Sequence, residues 1–538
     1  MPDASLDETI PSAVMASIAA RPEAEAVVEP ERRVTYGALG ALALASTRAM
    51  MGAGVGPGDR VAVWAPNGLG WIVAALGAQC AGAALVPINT RFKGEEAAWL
   101  LEASKAPVLV TTVGFLDTDT VGMLASAETP LPELRRIVLL DGSQPAKQAP
   151  DAVEVETWSD FLARGDAVDP DAAAARREGV RPTDTSDVLF TSGTTGRPKG
   201  VVMTHGQTVQ LFREWSDFAG LEPGDRYLIV NPFFHMFGYK AGWLASLMRG
   251  ATIFPVPVFD VPTVLSRVER ERITFRPGPP TLYRSILDHP DRRSFDLASL
   301  RVAITGAADI PVTLIEEMRA ELPFRSVLVG YGLTEAGTCT GSHSDDDAET
   351  IASTVGRAMP GFDVIVAGAD GQELPHGETG ELLVRGHGVM QGYLDDPEAT
   401  AAAIDARGFL HTGDLATMDA RGVVRIVGRL KDMILVGGFN VYPAEVENTL
   451  LAHEAIGQVA VVGLPDARLG EVPVAYVVPA PGRNVDGAAI VAWARERLAN
   501  YKVPRHVVAV AELPVNATGK VVKQALRERA AAELGGAS

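Results

Sequence analysis

Cysteine is nearly absent from this sequence: 538 residues carry only Cys80 and Cys339. Two thiols cannot build a disulfide framework or a cysteine zinc site, and they fit a reducing compartment. Positive charge is also scarce, with 48 Lys and Arg against 67 Asp and Glu and a net charge of -19. No basic run is long enough to follow a phosphate backbone, so nucleic acid and anionic membranes are poor partners. A nucleotide would have to be held by a few individually placed cations. Long apolar runs are missing as well. The most apolar stretch, 71–88, is interrupted by Gln79, by glycines and by Pro87, and reads as a buried helix running into a core strand. The first ten residues are acidic and lack a hydrophobic signal core. A cytoplasmic protein without a membrane span is the expectation.

What is present is 47% apolar and 21% charged residues with 54 Gly and 36 Pro, the balance of a loop-rich α/β enzyme. The length exceeds what one compact core supports. Over residues 1–430, short apolar runs at 61–64, 83–88, 108–112 and 137–140 alternate with amphipathic segments, predicting a large layered α/β domain. The stretches 141–151 and 169–181 read as surface excursions. After Arg429 the pattern changes: a helix opens at Pro443, apolar strands follow at 459–462 and 474–478, and a second helix covers 488–498. Residues 431–538 are thus expected to form a small α+β domain.

Two glycine-rich segments compete as nucleotide loops. Gly52, Gly54, Gly56 and Gly58 precede a strand and are interrupted by Pro57, so they read as a turn into Val61. The second run is different: Thr191-Ser192-Gly193-Thr194-Thr195-Gly196-Arg197-Pro198-Lys199-Gly200, between apolar runs at 188–190 and 201–203. Its glycines allow close backbone approach, its hydroxyls and successive N–H groups can donate to phosphate oxygens, and Lys199 adds a point charge. It is not a Walker loop, because Lys199 precedes Gly200 and Pro198 blocks a helical start.

This loop resembles the signature of the adenylate-forming (acyl-CoA synthetase, AMP-binding) superfamily. Similar motifs recur in family order: Thr35-Tyr36-Gly37-Ala38-Leu39, the run 231–238, Tyr331-Gly332-Leu333-Thr334-Glu335, His411-Thr412-Gly413-Asp414, Gly428-Arg429-Leu430-Lys431-Asp432 and Pro514-Val515-Asn516-Ala517-Thr518-Gly519-Lys520. The resemblance implies an ATP-dependent acid–CoA ligase: a carboxylate attacks the α-phosphate of ATP, pyrophosphate leaves, and CoA then takes the acyl group from the adenylate.

By that resemblance Glu335 would hold Mg²⁺, a hard cation suited to a carboxylate beside phosphates, and Thr334 would donate to the α-phosphate. Asp414 would accept the ribose hydroxyls, with Arg429 on the same sugar. Gly306, Ala307 and Ala308 would line the adenine, with Tyr331 stacked on it and Gly332 beside it. Lys520 would bridge carboxylate and α-phosphate in the first half-reaction. Lys431 would be the hinge on which the small domain turns, bringing Gly437 and Gly438 to the pantetheine of CoA.

The run 231–238 would wall the acyl site, with His235 as its movable ring. Amino-acid-activating relatives carry an Asp where His235 stands, so an acid without an α-amino group is implied. Phe237, Ala241, Gly330, Gly332 and Thr338 match cavity-lining positions, and their small size suggests something wider than acetate. The run 231–242, with 277–281, is most similar to the branch of the family that activates propanoate-bearing ring remnants in bacterial steroid degradation. A medium- or long-chain fatty acid or an aryl acid stays open as substrate. So do a carrier protein in place of CoA, a luciferase-like oxygenase, a silent nucleotide-binding regulator and a homodimer. Cys339 reads as a small pocket hydrophobe, and Asp345-Asp346-Asp347 beside His343 reads as a solvated loop without metal-ligand spacing.

Overall fold

The computed structural model describes residues 7–140, 149–191, 198–306, 310–515 and 521–534. The chain divides into two compact units, Met1–Asp363 with Val384–Leu410, and Val364–Leu383 with His411–Ser538. The fold is mixed α/β in a large unit and a smaller one.

In the first unit, an eight-stranded sheet runs in the order Gly392–Tyr393, Lys199–Thr204, Thr185–Thr191, Ala84–Pro87, Arg60–Trp64, Val108–Thr111, Arg136–Leu139 and Glu154–Thr157. From Thr185–Thr191 outward every pairing is parallel. Strands covered on both faces must be apolar on both, and Val61, Ala62, Val63 and Trp64 are all buried. Helix α1 (Leu69–Cys80) is buried over eleven of its twelve residues and leads into Ala84–Pro87, which is the helix-then-strand reading of the 71–88 stretch.

Two strands of this sheet flank the glycine-rich motif, β1 (Thr185–Thr191) and β2 (Lys199–Thr204), paired antiparallel. Helix α2 (His205–Ala219) follows directly, opened by a capping box between Thr204 and Gln207 and closed at Gly220. A second sheet region joins Arg226–Ile229 to Val302–Thr305 through Phe275, which bridges Tyr227 and Val302. Next to it lie β3 (Ser326–Leu333), parallel to Val302–Thr305, and its hairpin partner β4 (Gly337–Gly341). The Ala/Arg-rich stretch read as a surface excursion is mostly exposed and contains a helix, Pro170–Glu178, because Asp169 caps it and Ala173 gives it a buried contact.

In the second unit β5 (Leu410–Met418) pairs antiparallel with β6 (Val424–Arg429). Beyond them, five strands, Ile434–Val436, Phe439–Val441, Ile456–Asp466, Gly470–Pro479 and His506–Ala509, make one sheet. Its period-two alternation feeds two cores: Val461, Ala475 and Val477 on one face, Val462, Val474 and Tyr476 on the other. Helices Pro443–Leu451 and Gly487–Arg495 contribute to the first core, and Lys523–Leu534 to the second. The expected small domain, 431–538, lies wholly inside this unit. Among the described residues no helix is long and apolar enough to cross a membrane.

Candidate functional site

The antiparallel register of β1 and β2 puts Thr191 opposite Lys199 at the mouth of the glycine-rich loop. Ser192, Gly193, Thr194, Thr195 and Gly196 lie outside the described residues. Lys199 holds its ammonium 5.0 Å from the ring centroid of Tyr393. Tyr393 is placed there by a two-residue strand that pairs with β2, Tyr393 opposite Val201 and Gly392 opposite Val202. The same tyrosine donates its hydroxyl to Oε1 of Glu335 at 3.0 Å. Burial and the neighbouring carboxylate raise the Tyr393 phenol above its ordinary value, so it remains a donor. Three residues far apart in sequence thus share one spot, and Tyr393 is the one that sequence reasoning missed. A lone Tyr beside a Gly carries no local signal of this role.

Glu335 sits at the tip of the β3–β4 hairpin, where Leu333 pairs with Gly337 and the Ala336 amide closes on the Leu333 carbonyl at 3.1 Å. The turn needs Gly337: its φ is +66°, and a Cβ there would lie 2.1 Å from Leu211 Cδ2. The backbone of Glu335 is fixed by the Met390 amide at 2.8 Å. Thr334 shares the tip. Tyr331 and Gly332 lie at a register shift in β3, and a Cβ on Gly332 would meet the Gly337 carbonyl at 2.2 Å. Gly306, next to Val302–Thr305, has φ +153°, and a Cβ on it would lie 2.9 Å from the Gly330 carbonyl. Gly330 in turn faces Thr338 and Phe218, at 3.3 and 3.8 Å from the position its Cβ would take. Ala307 and Ala308 fall outside the described residues.

The 231–238 segment is held by Asn67, whose side chain donates to the Asn231 carbonyl at 2.9 Å and accepts the Phe233 amide at 2.8 Å. His235 caps a single turn, Met236–Gly238, its Nδ1 accepting the Phe237 N–H at 3.2 Å. The chain then enters a wide π-turn, Tyr239–Leu244, which contains Ala241. Cys339 is buried, with its Sγ 3.7 Å from the Tyr331 carbonyl. Two members of the 345–347 run are engaged: Asp346 pairs with Arg357 at 3.0 Å, and Asp347 caps the helix Ala348–Ser353. Among the described residues no group of three or more His, Cys, Asp or Glu is arranged to hold a metal.

In the second unit Asp414 on β5 and Arg429 on β6 are cross-strand partners, and Arg429 Nε lies 2.8 Å from Asp414 Oδ1. Asp414 is 5% exposed. Its strand is braced by Glu381, which accepts the Gly413 amide at 3.0 Å and sits 2.8 Å from His411 Nδ1. Lys431 is exposed in the short turn Leu430–Asp432, flanked by the ion pair of Asp432 with Arg527 at 2.8 Å. Gly437 and Gly438, both at positive φ, make the two-residue turn between Ile434–Val436 and Phe439–Val441. Lys520 falls outside the described residues.

Among the described residues the first unit brings together an ammonium, Lys199, and a carboxylate, Glu335, held by the neutral Tyr393 hydroxyl. One carboxylate oxygen of Glu335 accepts from Tyr393, and the other makes no hydrogen bond among the described residues, a donor set that suits a cation completing its shell with water and phosphate oxygens.

The domain described as AMP-binding enzyme matches residues 14–394, and the AMP-binding enzyme C-terminal domain matches 445–520. The chain is 49% identical over 522 residues to the 3-[(3aS,4S,7aS)-7a-methyl-1,5-dioxo-octahydro-1H-inden-4-yl]propanoyl:CoA ligase of Rhodococcus jostii, covering 97% of this chain and 98% of that protein. It is 48% identical over 521 residues to the protein of the same name from Mycobacterium tuberculosis, covering 97% and 98%. Among solved structures, an anthranilate CoA ligase in complex with anthranoyl-AMP superposes with a TM-score of 0.83 at 26% identity, over 100% of this chain and 99% of that one.

Proposed function

This chain belongs to the AMP-binding enzyme family and is an AMP-forming acid–CoA ligase, and from that premise we propose that its acid is a bulky, steroid-derived propanoate. The substrate reading is carried by the 49% identity, spread over 97% of the chain, to a ligase named for a fused-ring dione propanoate. The absence of a carboxylate at His235 supports an acid without an α-amino group.

The reaction has two steps: carboxylate and ATP give acyl-AMP and pyrophosphate, and acyl-AMP and CoA give acyl-CoA and AMP. Two anions must approach in the first step, so the residues around the phosphates have to supply positive charge and in-line positioning. In our assignment Thr191 and Lys199, with Ser192 to Gly196, cradle the β- and γ-phosphates. Thr334 donates to the α-phosphate, and Lys520 bridges it to the acid's carboxylate. Glu335, oriented by Tyr393, would hold Mg²⁺, which when bound neutralises charge on the phosphoryl oxygens. Asp414 and Arg429 hold the ribose. Gly306, Ala307, Ala308, Tyr331 and Gly332 enclose the adenine, and His235, Phe237, Ala241, Gly330 and Thr338 line the acyl cavity. For the second step, residues 431–538 act as a lid that pivots at Lys431 and offers Gly437 and Gly438 to CoA.

Pyrophosphate release and thioester formation, measured across acids of increasing width, test the proposal. A fused-ring propanoate is expected to give the highest kcat/KM. Preference for an unbranched fatty acid refutes the substrate, and pyrophosphate release without CoA thioester refutes CoA as the acceptor.

A further inference from the structure

Lys240 and Asp187 form an ion pair in the interior of the first unit. Nζ lies 2.8 Å from Oδ1, and the side chains are 2% and 0% exposed. Lys240 also donates to Thr208 Oγ1 at 3.2 Å, and Ser186 Oγ donates to the second Asp187 oxygen at 2.6 Å. Burial draws the ammonium below its ordinary lysine value while Asp187 pushes it back up. The neighbouring His205, pushed down to about 4 by burial, is neutral and supplies no counter-charge.

The cost of removing two charges from water offsets most of their attraction, so such a pair is a weak source of stability. Its placement is more telling. Asp187 lies on β1, four residues before Thr191 and the phosphate loop. Thr208 lies on α2. Lys240 is the second residue of the wide turn Tyr239–Leu244, whose Lys240 carbonyl accepts the Ala245 amide five residues on. Phe237 and Ala241, two of the acyl-wall positions, stand on either side of it. The turn is pinned from a third side by Gln79 of α1, whose amide donates to Tyr239 Oη at 2.6 Å and to the Ser186 carbonyl at 3.2 Å.

Wide turns of this kind are rare, occur singly inside α-helices and concentrate at functional sites. Relaxation to the i→i+4 register slips the following chain by one residue, a rotation of about 100° about the helix axis. Phe237 and Ala241, four residues apart, lie toward one face in either register, but the wider pitch changes the spacing between them. We propose that the Lys240–Asp187 pair is a positioning device: it pins the wide turn to the phosphate-loop strand and thereby gives the acyl cavity the width for a fused-ring acid. The proposal rests on the ligase reading above for its substrate consequence, and on geometry alone for the turn.

The variant Lys240→Met/Asp187→Leu removes both charges and orphans neither, and its thermal midpoint is expected to stay near that of the parent. Its crystal structure should show the Lys240 carbonyl bonded to the Leu244 amide. The kcat/KM ratio of a fused-ring propanoate to octanoate should fall about tenfold, with KM for ATP within about twofold. Retention of the wide turn, an unchanged ratio, or an equal fall for both acids overturns the proposal, the last being the mark of a merely structural loss. If this variant does not fold, Lys240→Gln/Asp187→Asn carries the same readouts. A parent protein that releases pyrophosphate with neither acid refutes the ligase reading instead, and the register in the variant still decides the positioning role.

Discussion

Tyr393 and Glu335, 58 residues apart in the chain, meet through a 3.0 Å hydrogen bond in which the phenol donates to the carboxylate. Lys199 lies over the same ring, its ammonium 5.0 Å from the ring centroid. One tyrosine therefore touches both the Glu335 carboxylate and the Lys199 ammonium.

Tyr393→Phe keeps the ring under Lys199 and removes only the hydroxyl. Loss of a group that orients a metal ligand typically costs about tenfold to a hundredfold. We expect that fall in kcat/KM for ATP, together with a higher Mg²⁺ concentration for half-maximal rate and an unchanged thermal midpoint. An unaltered Mg²⁺ dependence would refute the orienting role.

Asp414→Ala leaves Arg429 without its cross-strand partner and removes the acceptor assigned to the ribose. KM for ATP should rise about tenfold or more, because a hydrogen bond to a charged group is lost from binding. Isothermal titration with ATP is the check, and an unchanged affinity counts against the assignment.

The two half-reactions separate Lys520 from Lys431. Lys520→Ala should slow adenylate formation by about a hundredfold or more while leaving thioester formation from supplied acyl-adenylate within about threefold. Lys431→Pro should do the reverse, since a fixed φ restricts the pivot. Equal loss of both half-reactions in either variant would sink the corresponding role.

Gly337→Ala is a stability prediction. A side chain there meets both a φ of +66° and Leu211 at 2.1 Å. Backbone strain and overpacking together should cost about 2–4 kcal/mol. Urea unfolding should show the midpoint lowered, and coincidence with the parent curve would refute the close approach.

Short-range patterns carried much of this protein in its sequence. The parallel strands follow from β-branched apolar runs, which need only neighbours of the same kind. The strands at 459–462 and 474–478 were legible as unbroken apolar runs, and such runs fill both faces of the small sheet. The β1–β2 hairpin was legible because glycines, hydroxyls and Lys199 occupy consecutive positions between two apolar runs, whereas the sequence offered Gly437 and Gly438 only as CoA contacts implied by the resemblance, and the structure makes them a two-residue turn. The helix Pro170–Glu178 was not legible. Its single buried contact, Ala173, gives no hydrophobic stripe, and its formation depends on the Asp169 cap and tertiary support.

By itself the sequence determined the fold class, the order of the motifs and the family chemistry they imply, because each is encoded in residues adjacent along the chain. Tertiary structure alone decided that Tyr393 serves Glu335, that Lys240 pairs with Asp187, and that the acyl segment turns with a wide register. Those relationships join residues tens of positions apart, and no spacing rule links them. They exist only where packing brings a phenol to a carboxylate, or buries an ammonium where one counter-charge must answer it.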